Sequence, residues 1–186
     1  MAWRVGGGGG KGLFADSLEL VSHAGDTLDG MRIIGIDPGT GILGFGVIEL
    51  GGAKPSLVTA GVIRTPAHTP LDERLEVIFD GLTEIIEETK PDIMSIERLF
   101  FAQNVTTAMS VSHARGVAML TGRKGQLLIA EYTPLQIKQT LTGYGKADKK
   151  QVQEMVRIHL RLKEIPKPDD AADALAAAIT HSLMAR

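Results

Sequence analysis

Four acidic residues stand at positions where enzymes often mount their chemistry. Asp37 ends a short apolar run just before a turn, and Glu97 ends a second apolar run. Asp170 and Asp173 lie three residues apart near the start of a segment rich in alanine. On a helix, residues at i and i+3 share one face, and two negative charges placed there repel each other. Because no basic residue follows in that segment before Arg186, the pattern predicts a bound divalent cation.

The oxygen ligands indicate which cation and which reaction. Carboxylates alone suit Mg²⁺ or Mn²⁺, whereas zinc favours nitrogen and sulfur. Two such ions about 4 Å apart can activate a water and stabilise the leaving oxygen of a phosphodiester. Individually the residues have plainer explanations, since Asp37 opens an Asp-Pro-Gly turn and Asp169 or Asp170 could cap a helix. It is the set of four that predicts nuclease chemistry.

Histidine is not predicted to join this set. His181 lies eight residues beyond Asp173, which is about 12 Å along a helix. His113 stands in a separate predicted helix.

The elements that position these residues follow from the hydrophobic pattern. Three closely spaced strands are predicted within residues 32–65, and their short connections favour an antiparallel meander. A helix over 71–90, a strand over 92–97, a helix over about 105–122 and a strand over 126–132 follow. Three further helices, over 133–141, 149–160 and 170–184, complete the order. The sequence therefore predicts an α/β fold with a five-stranded mixed sheet and helices on both faces. Asp37 and Glu97 meet if the first and fourth strands are neighbours.

Composition sets outer limits on the function. The chain has 186 residues, a formal net charge of −2 and no cysteine, which excludes disulfides and thiolate metal sites and fits a cytoplasmic protein. No apolar run reaches the roughly 18 residues that a membrane span needs. Residues 1–30 contain five consecutive glycines and are predicted to be a disordered extension, a tag remnant or an upstream start. Residues 31–186 are predicted to form the nuclease domain.

Basic residues are concentrated in one part of the sequence. This local basic stretch comprises Lys138, Lys146, Lys149, Lys150, Arg157, Arg161 and Lys163.

Five stretches of the sequence together resemble one family. They are GIDPGTGILGFGVIE, MSIERLFFAQN, ARGVA, IKQTLTGYGKADKKQVQ and DDAADALAAAITH, and they occur in this order between Met31 and about His181. The chain resembles the RuvC family of crossover junction endodeoxyribonucleases. The resemblance implies a ribonuclease-H-like fold for essentially the whole of residues 31–186.

The resemblance also implies roles for individual residues. The family's catalytic and metal-binding carboxylates correspond to Asp37, Glu97, Asp170 and Asp173. Its junction-probing aromatic corresponds to Phe100, with Phe101 as a competing candidate. Its DNA-contacting lysines correspond to Lys138 and Lys149, and charge alone adds Lys146 and Lys150.

Partners and cofactors follow from the same resemblance. It implies a homodimer that pairs through the helix over 105–122, with two Mg²⁺ ions in each subunit and Mn²⁺ as a substitute. Small residues of that helix (Ala108, Ser112, Ala114, Gly116 and Ala118) would permit close approach of two subunits. The implied substrate is four-way junction DNA, cut by paired symmetric nicks during DNA recombination and repair, after a RuvA–RuvB branch-migration complex has acted. No membrane partner is expected.

Three other readings stay open on sequence grounds. The GIDPGTG motif also resembles the first phosphate loop of actin-like and sugar kinases, although those proteins need a second such domain. Another ribonuclease-H-like nuclease of the YqgF kind shares the first motif. A non-catalytic junction-binding module is the third alternative, and the presence of all four carboxylates argues against it.

Overall fold

A computed structural model describes residues 30–51, 54–99 and 105–185, with side chains of the helix at 105 described from residue 108. Strands and helices within these residues follow the predicted order. They are β1 (Arg32–Asp37), β2 (Ile42–Glu49), β3 (Ser56–Arg64), α1 (Leu71–Thr89), β4 (Ile93–Glu97), α2 (Val105–Lys124), β5 (Leu128–Tyr132), α3 (Pro134–Thr142), α4 (Lys149–His159) and α5 (Asp169–Met184).

The strands form one mixed sheet in the order β3-β2-β1-β4-β5. β1, β2 and β3 are antiparallel neighbours, whereas β4 is parallel to both β1 and β5. The predicted mixed sheet and the predicted neighbourhood of the first and fourth strands are therefore confirmed. The pairing of β1 with β4 runs up to Ile36 and Ile96, so Asp37 and Glu97 follow directly at the same edge.

Helices cover both faces of the sheet, as predicted. Because side chains alternate along a strand, Ile33 and Ile93 face α3, α4 and α5, while Ile34 and Met94 face α1 and α2. Both sides bury large aliphatic side chains completely. Each such side chain contributes roughly 1.5–3 kcal/mol to folding, so the two cores hold the sheet rigidly between its helices.

Glycines let α5 lie directly on the centre of the sheet. A β-carbon added to Gly35 would stand 1.9 Å from the carbonyl oxygen of Ala174, and one added to Gly44 would stand 2.1 Å from that of Asp170. Only hydrogen fits at these positions. The Ser95 hydroxyl also donates to the carbonyl of Ala177 at 2.7 Å. The sequence thus fixes how closely α5, and the acids at its start, approach the strand ends.

Local signals explain where α3 and α4 begin. Thr133 and Asp148 each accept a hydrogen bond from the backbone of a glutamine three residues later, and that glutamine side chain accepts one from the cap backbone. These two capping boxes satisfy N–H groups that the first turn of a helix leaves free. The beginning of α4 at Lys149 places this lysine beside the start of α5.

The predicted division between residues 1–30 and the nuclease domain over 31–186 stays a prediction. Residues 1–30, apart from Gly30, lie outside the described residues, and the extent of the nuclease domain is untested. Nowhere in the ranges that the structure describes is a helix both long and apolar enough to cross a membrane.

Candidate active site

Two of the predicted acids lie at the carboxyl ends of adjacent parallel strands. Asp37 is the last residue of β1 and Glu97 the last of β4. Residues two apart on a strand point to the same face of the sheet. Asp37 therefore points to the same face as Gly35, against which α5 packs, and Glu97 to the same face as Ser95, whose hydroxyl bonds α5. Both carboxylates therefore project toward α5 from a shared edge. Each residue is half-buried.

α5 brings the other two acids to the same edge. The backbone of Asp170 touches Gly44, and Gly44 is the antiparallel partner of Asp37. Asp173 follows one turn later and lines a cleft together with Glu97. The structure thus brings together the four carboxylates that the sequence singled out. Their catalytic and metal-binding roles stay a prediction.

Electrostatics show how closely the four groups interact. Burial, reinforced by the charges of Glu97, Asp173 and Asp170, raises the pKa of Asp37 from 3.8 to about 7. Burial and then the charge of Asp173 raise the pKa of Glu97. Burial also raises the pKa of Asp173, against the opposing effect of a lysine. A concentration of buried negative charge of this kind is a feature of functional sites.

Two of the predicted lysines stand beside the carboxylates. The Nζ of Lys149 lies 3.0 Å from Oδ2 of Asp173 and 3.4 Å from Oδ2 of Asp169. Lys138 is close enough to Glu97 to oppose the rise in its pKa. Both lysines line the cleft of about 300 Å³ that also contains Glu97 and Asp173.

The ion pair at Asp173 differs from the expectation drawn from the helix alone. No basic residue follows Asp173 in the alanine-rich segment before Arg186, and the sequence therefore predicted that a divalent cation compensates this carboxylate. In the fold, Lys149 at the start of α4 supplies part of that compensation. A contact between two helices cannot be predicted from the spacing of residues within either helix.

The chemistry of the donors fits a hard divalent cation, because every candidate ligand is a carboxylate oxygen. In the parts of the chain that the structure describes, however, no three acidic or histidine side chains already form a closed ligand cluster. The carboxylates share one electrostatic environment without converging on one point. The fit to a cation therefore rests on the donor type and on the negative charge that Lys138 and Lys149 compensate only in part.

The remaining predicted DNA contacts lie away from this cleft or outside the described residues. Lys146 and Lys150 are exposed, and Lys150 lines a second cleft of about 450 Å³ with Tyr144 and Glu154. Phe100 and its competitor Phe101 both fall outside the residues that the structure describes. Of the histidines, His113 is exposed, and Nδ1 of His181 lies 2.8 Å from the Tyr132 hydroxyl.

Sequence reasoning missed one group at the site. Arg115 of α2 donates from Nε to the carbonyl oxygen of Glu97 at 3.1 Å and from Nη2 to the carboxylate of Glu131. The only signal was an arginine inside the ARGVA stretch. Its contacts depend on the sheet register and could not be read from the motif.

Comparisons with known proteins agree with this architecture. The sequence profile of the family described as crossover junction endodeoxyribonuclease RuvC matches residues 33–181. The crossover junction endodeoxyribonuclease RuvC of Desulforamulus reducens is 54% identical over 152 residues, which are 82% of this chain and 93% of that protein. The RuvC of Brevibacillus brevis is 53% identical over 152 residues, covering 82% and 92%.

Solved structures give the same result. Thermus thermophilus RuvC superposes with a TM-score of 0.78 at 38% identity, over 84% of this chain and 96% of that one. The structure of T. thermophilus RuvC in complex with a Holliday junction substrate gives 0.80 at 38% identity, over 84% and 95%. The yeast mitochondrial Holliday junction resolvase Ydc2, at 10% identity and a TM-score of 0.62, shares the fold alone. The ribonuclease-H-like α/β fold is confirmed, and the chain belongs to the RuvC family of crossover junction endodeoxyribonucleases.

Proposed function

We propose that this protein resolves four-way DNA junctions by cutting phosphodiester bonds at the edge where Asp37, Glu97, Asp170 and Asp173 meet, in DNA recombination and repair. The observation that carries the proposal is that Asp37 and Glu97 end adjacent parallel strands and that α5 brings Asp170 and Asp173 to the same edge, beside a lysine-lined cleft. Membership of an endonuclease family supports it, as does the junction substrate bound to the relative from T. thermophilus.

The four carboxylates are the proposed ligands of Mg²⁺, two ions in each subunit, with Mn²⁺ able to replace it. When bound, the ions would supply Lewis acidity that activates a water and stabilises the leaving oxygen. Asp37 would be shared by the two ions, a role supported by its position at the end of β1 between the end of β4 and the start of α5. Lys149, now paired with Asp173, would be available to a DNA phosphate when that charge is otherwise compensated.

Lysines on the α5 side of the sheet form the proposed DNA surface. Lys138 and Lys149 would contact phosphates next to the scissile bond, because they line the same cleft as Glu97 and Asp173. The exposed Lys146 and Lys150 would extend this surface along the backbone. Contacts to phosphates confer affinity without sequence specificity. The assignment of Phe100 as the junction probe rests on the family resemblance.

α2 is the proposed dimer surface. Met109, His113, Gly116 and Leu120 are all exposed and recur at helical spacing on one face, with Met109 59% and Leu120 58% exposed. A β-carbon on Gly116 would meet nothing within 4 Å, so a second helix could approach closely there. A two-fold axis through this face would present two equivalent sites to the junction. Paired, symmetric nicks would follow, after a RuvA–RuvB complex has moved the junction.

A labelled four-way junction incubated with and without Mg²⁺ tests the function. We expect paired nicks with ligatable ends in the presence of Mg²⁺ and none without it. Asp37→Asn should bind the junction but lose cleavage, and Mg²⁺ should raise the Tm of the wild-type protein but not of this variant. Normal nicking by Asp37→Asn would remove this residue from the mechanism.

Substrate controls separate this function from its alternatives. Junction-selective cutting over linear duplex DNA and RNA is expected for a resolvase, whereas equal cutting of these substrates would favour a nuclease of the YqgF kind. Junction binding without cleavage across a Mg²⁺ and Mn²⁺ titration would favour a non-catalytic module.

A further inference from the structure

A polar bridge holds the main chain of Glu97 from α2. Arg115 is 18% exposed, and its Nε donates to the carbonyl oxygen of Glu97 across 3.1 Å. Its Nη2 donates to Oε2 of Glu131, which lies on β5. One guanidinium therefore joins α2 to the ends of two neighbouring strands.

The register of the sheet places this bridge on the face opposite the carboxylate cluster. Glu131 is aligned with Ile96 between β5 and β4, and Ile96 packs in the core beneath α1 and α2. Since adjacent residues of a strand point to opposite faces, the Glu97 side chain projects toward α5 while Glu131 projects toward α2. Glu131 neutralises Arg115 without joining the four acids.

The residue after Glu97 is tied to the same place. The backbone N–H of Arg98 donates to the carbonyl oxygen of Tyr132 at 2.8 Å, and its Nε lies 3.7 Å from Oε2 of Glu131. The Arg98 side chain is 57% exposed, so solvent screens its ion pair and the pair contributes little. The Glu97–Arg98 peptide is thus held by its N–H, through Tyr132, and by its carbonyl oxygen, through Arg115. Of the two arginine side chains, the less exposed Arg115 is the one able to help fix it.

We propose that Arg115 is a positioning residue for Glu97 in strand cleavage, an inference that rests on the nuclease function proposed above. Arg115 touches neither DNA nor the reacting atoms. It holds the carbonyl of Glu97 so that the carboxylate stays beside Asp37 and Asp173. Arginine suits this role because its planar fork can donate to a carbonyl and to a carboxylate at once, whereas lysine offers a single nitrogen.

Three variants test the proposal in the full-length protein. Arg115→Met removes both contacts, and Arg115→Lys keeps a charge for Glu131 but cannot also reach Glu97. Arg123→Met is the matched control, because Arg123 lies on the same helix and donates to the carbonyl of Leu127 instead. Single-turnover nicking of a four-way junction in Mg²⁺ gives the rate, and junction binding in EDTA gives Kd. Hydrogen exchange of a peptide spanning 93–99 reports on the Glu97 backbone without any metal or DNA.

We expect Arg115→Met to lower the nicking rate roughly 10- to 100-fold, as misplacement of a catalytic group by about 1 Å can do, with Kd within two-fold of wild type. Arg115→Lys should also be slowed, and exchange over 93–99 should accelerate in both variants but not in Arg123→Met. If Arg115→Met does not fold, Arg115→Lys decides. Wild-type rates and exchange in Arg115→Lys, or a rate loss matched by weaker junction binding, would overturn the proposal. A wild-type protein that fails to nick junctions would instead contradict the proposed function.

Discussion

At Asp37, burial and three neighbouring carboxylates act in the same direction. Together they raise its pKa to about 7, against an ordinary value of 3.8, although Lys149 opposes the change. The ionised form is therefore disfavoured in the folded, metal-free protein. The residue proposed as a central cation ligand is therefore also one whose ionised carboxylate destabilises the fold when the cation is absent.

The contribution of Asp37 to the stability of the metal-free protein should consequently fall as pH rises. Between about pH 4 and pH 7 the folded state binds more protons at Asp37 than the unfolded state does, so this residue's contribution to the free energy of unfolding decreases through the window and then levels off. Asp37→Asn removes this group's contribution. Because one pKa unit corresponds to about 1.4 kcal/mol, the variant should exceed wild type in stability by on the order of 2–4 kcal/mol at about pH 8.

Urea denaturation in EDTA at about pH 4 and about pH 8 would measure this difference, which should shrink toward zero at the lower pH. An equal difference at both pH values would show that Asp37→Asn stabilises the protein for a reason other than titration.

At the scale of single elements, the position of α5 on the sheet depends on glycines of the strands as much as on the sequence of the helix. Gly35 and Gly44 leave room for its backbone, so the acids near its start lie against β1 and β2. Two alanines of α2, one helical turn apart, face the core instead of a second subunit. Ala114 and Ala118 are fully buried against α1 and the sheet, so they pack the core of one subunit, while Gly116 is exposed.

Gly44→Ala should displace the start of α5. Its new methyl would meet the carbonyl oxygen of Asp170 at 2.1 Å, and overpacking of this kind costs about 1–3 kcal/mol. We expect a lower Tm and a loss of junction nicking greater than the loss of folded protein.

Gly41→Ala is the matched control in the same hairpin, since an added methyl there meets only the end of the Arg74 side chain at 3.3 Å. Thermal unfolding and nicking assays on both variants make the comparison. Equal losses of Tm in the two variants would argue against close packing of α5 as the cause.

At the scale of the whole molecule, the two helical faces of the sheet have different proposed tasks. The α3–α5 face carries the lysines and the carboxylates, and the α1–α2 face carries the exposed stripe of Met109, His113, Gly116 and Leu120. Arg115 lies on the helix with the stripe and bonds the backbone of Glu97. The proposed dimer surface and the proposed active site are therefore joined through α2.

Leu120→Glu should convert a dimer to a monomer, because it places a charge in an apolar contact that would have to lose its water. Sedimentation velocity over a range of protein concentrations measures this. Val77→Glu is the control, since Val77 is a 38% exposed apolar residue of α1 outside the stripe. A wild-type protein that is monomeric at every concentration, or a Leu120→Glu variant that remains dimeric, would contradict the proposed interface.

The sequence by itself determined the elements, the sheet type and the four acids. Period-two and helical patterns depend on neighbours a few residues apart, so all ten elements of the described chain appeared close to their predicted places. The family followed from motifs in a fixed order. The hydrophobic periods and the motifs are local features of the sequence, so they can be recognised without the tertiary structure.

Only the tertiary structure decided which groups meet. The pairing of Lys149 with Asp173, the bridge from Arg115 to Glu97 and the inward orientation of Ala114 and Ala118 all join or separate residues through contacts between different elements. Such contacts depend on register, on the distance between helix and sheet and on which face a helix turns inward. Each of these is set by packing of the whole chain, because the burial that selects them involves residues far apart in sequence.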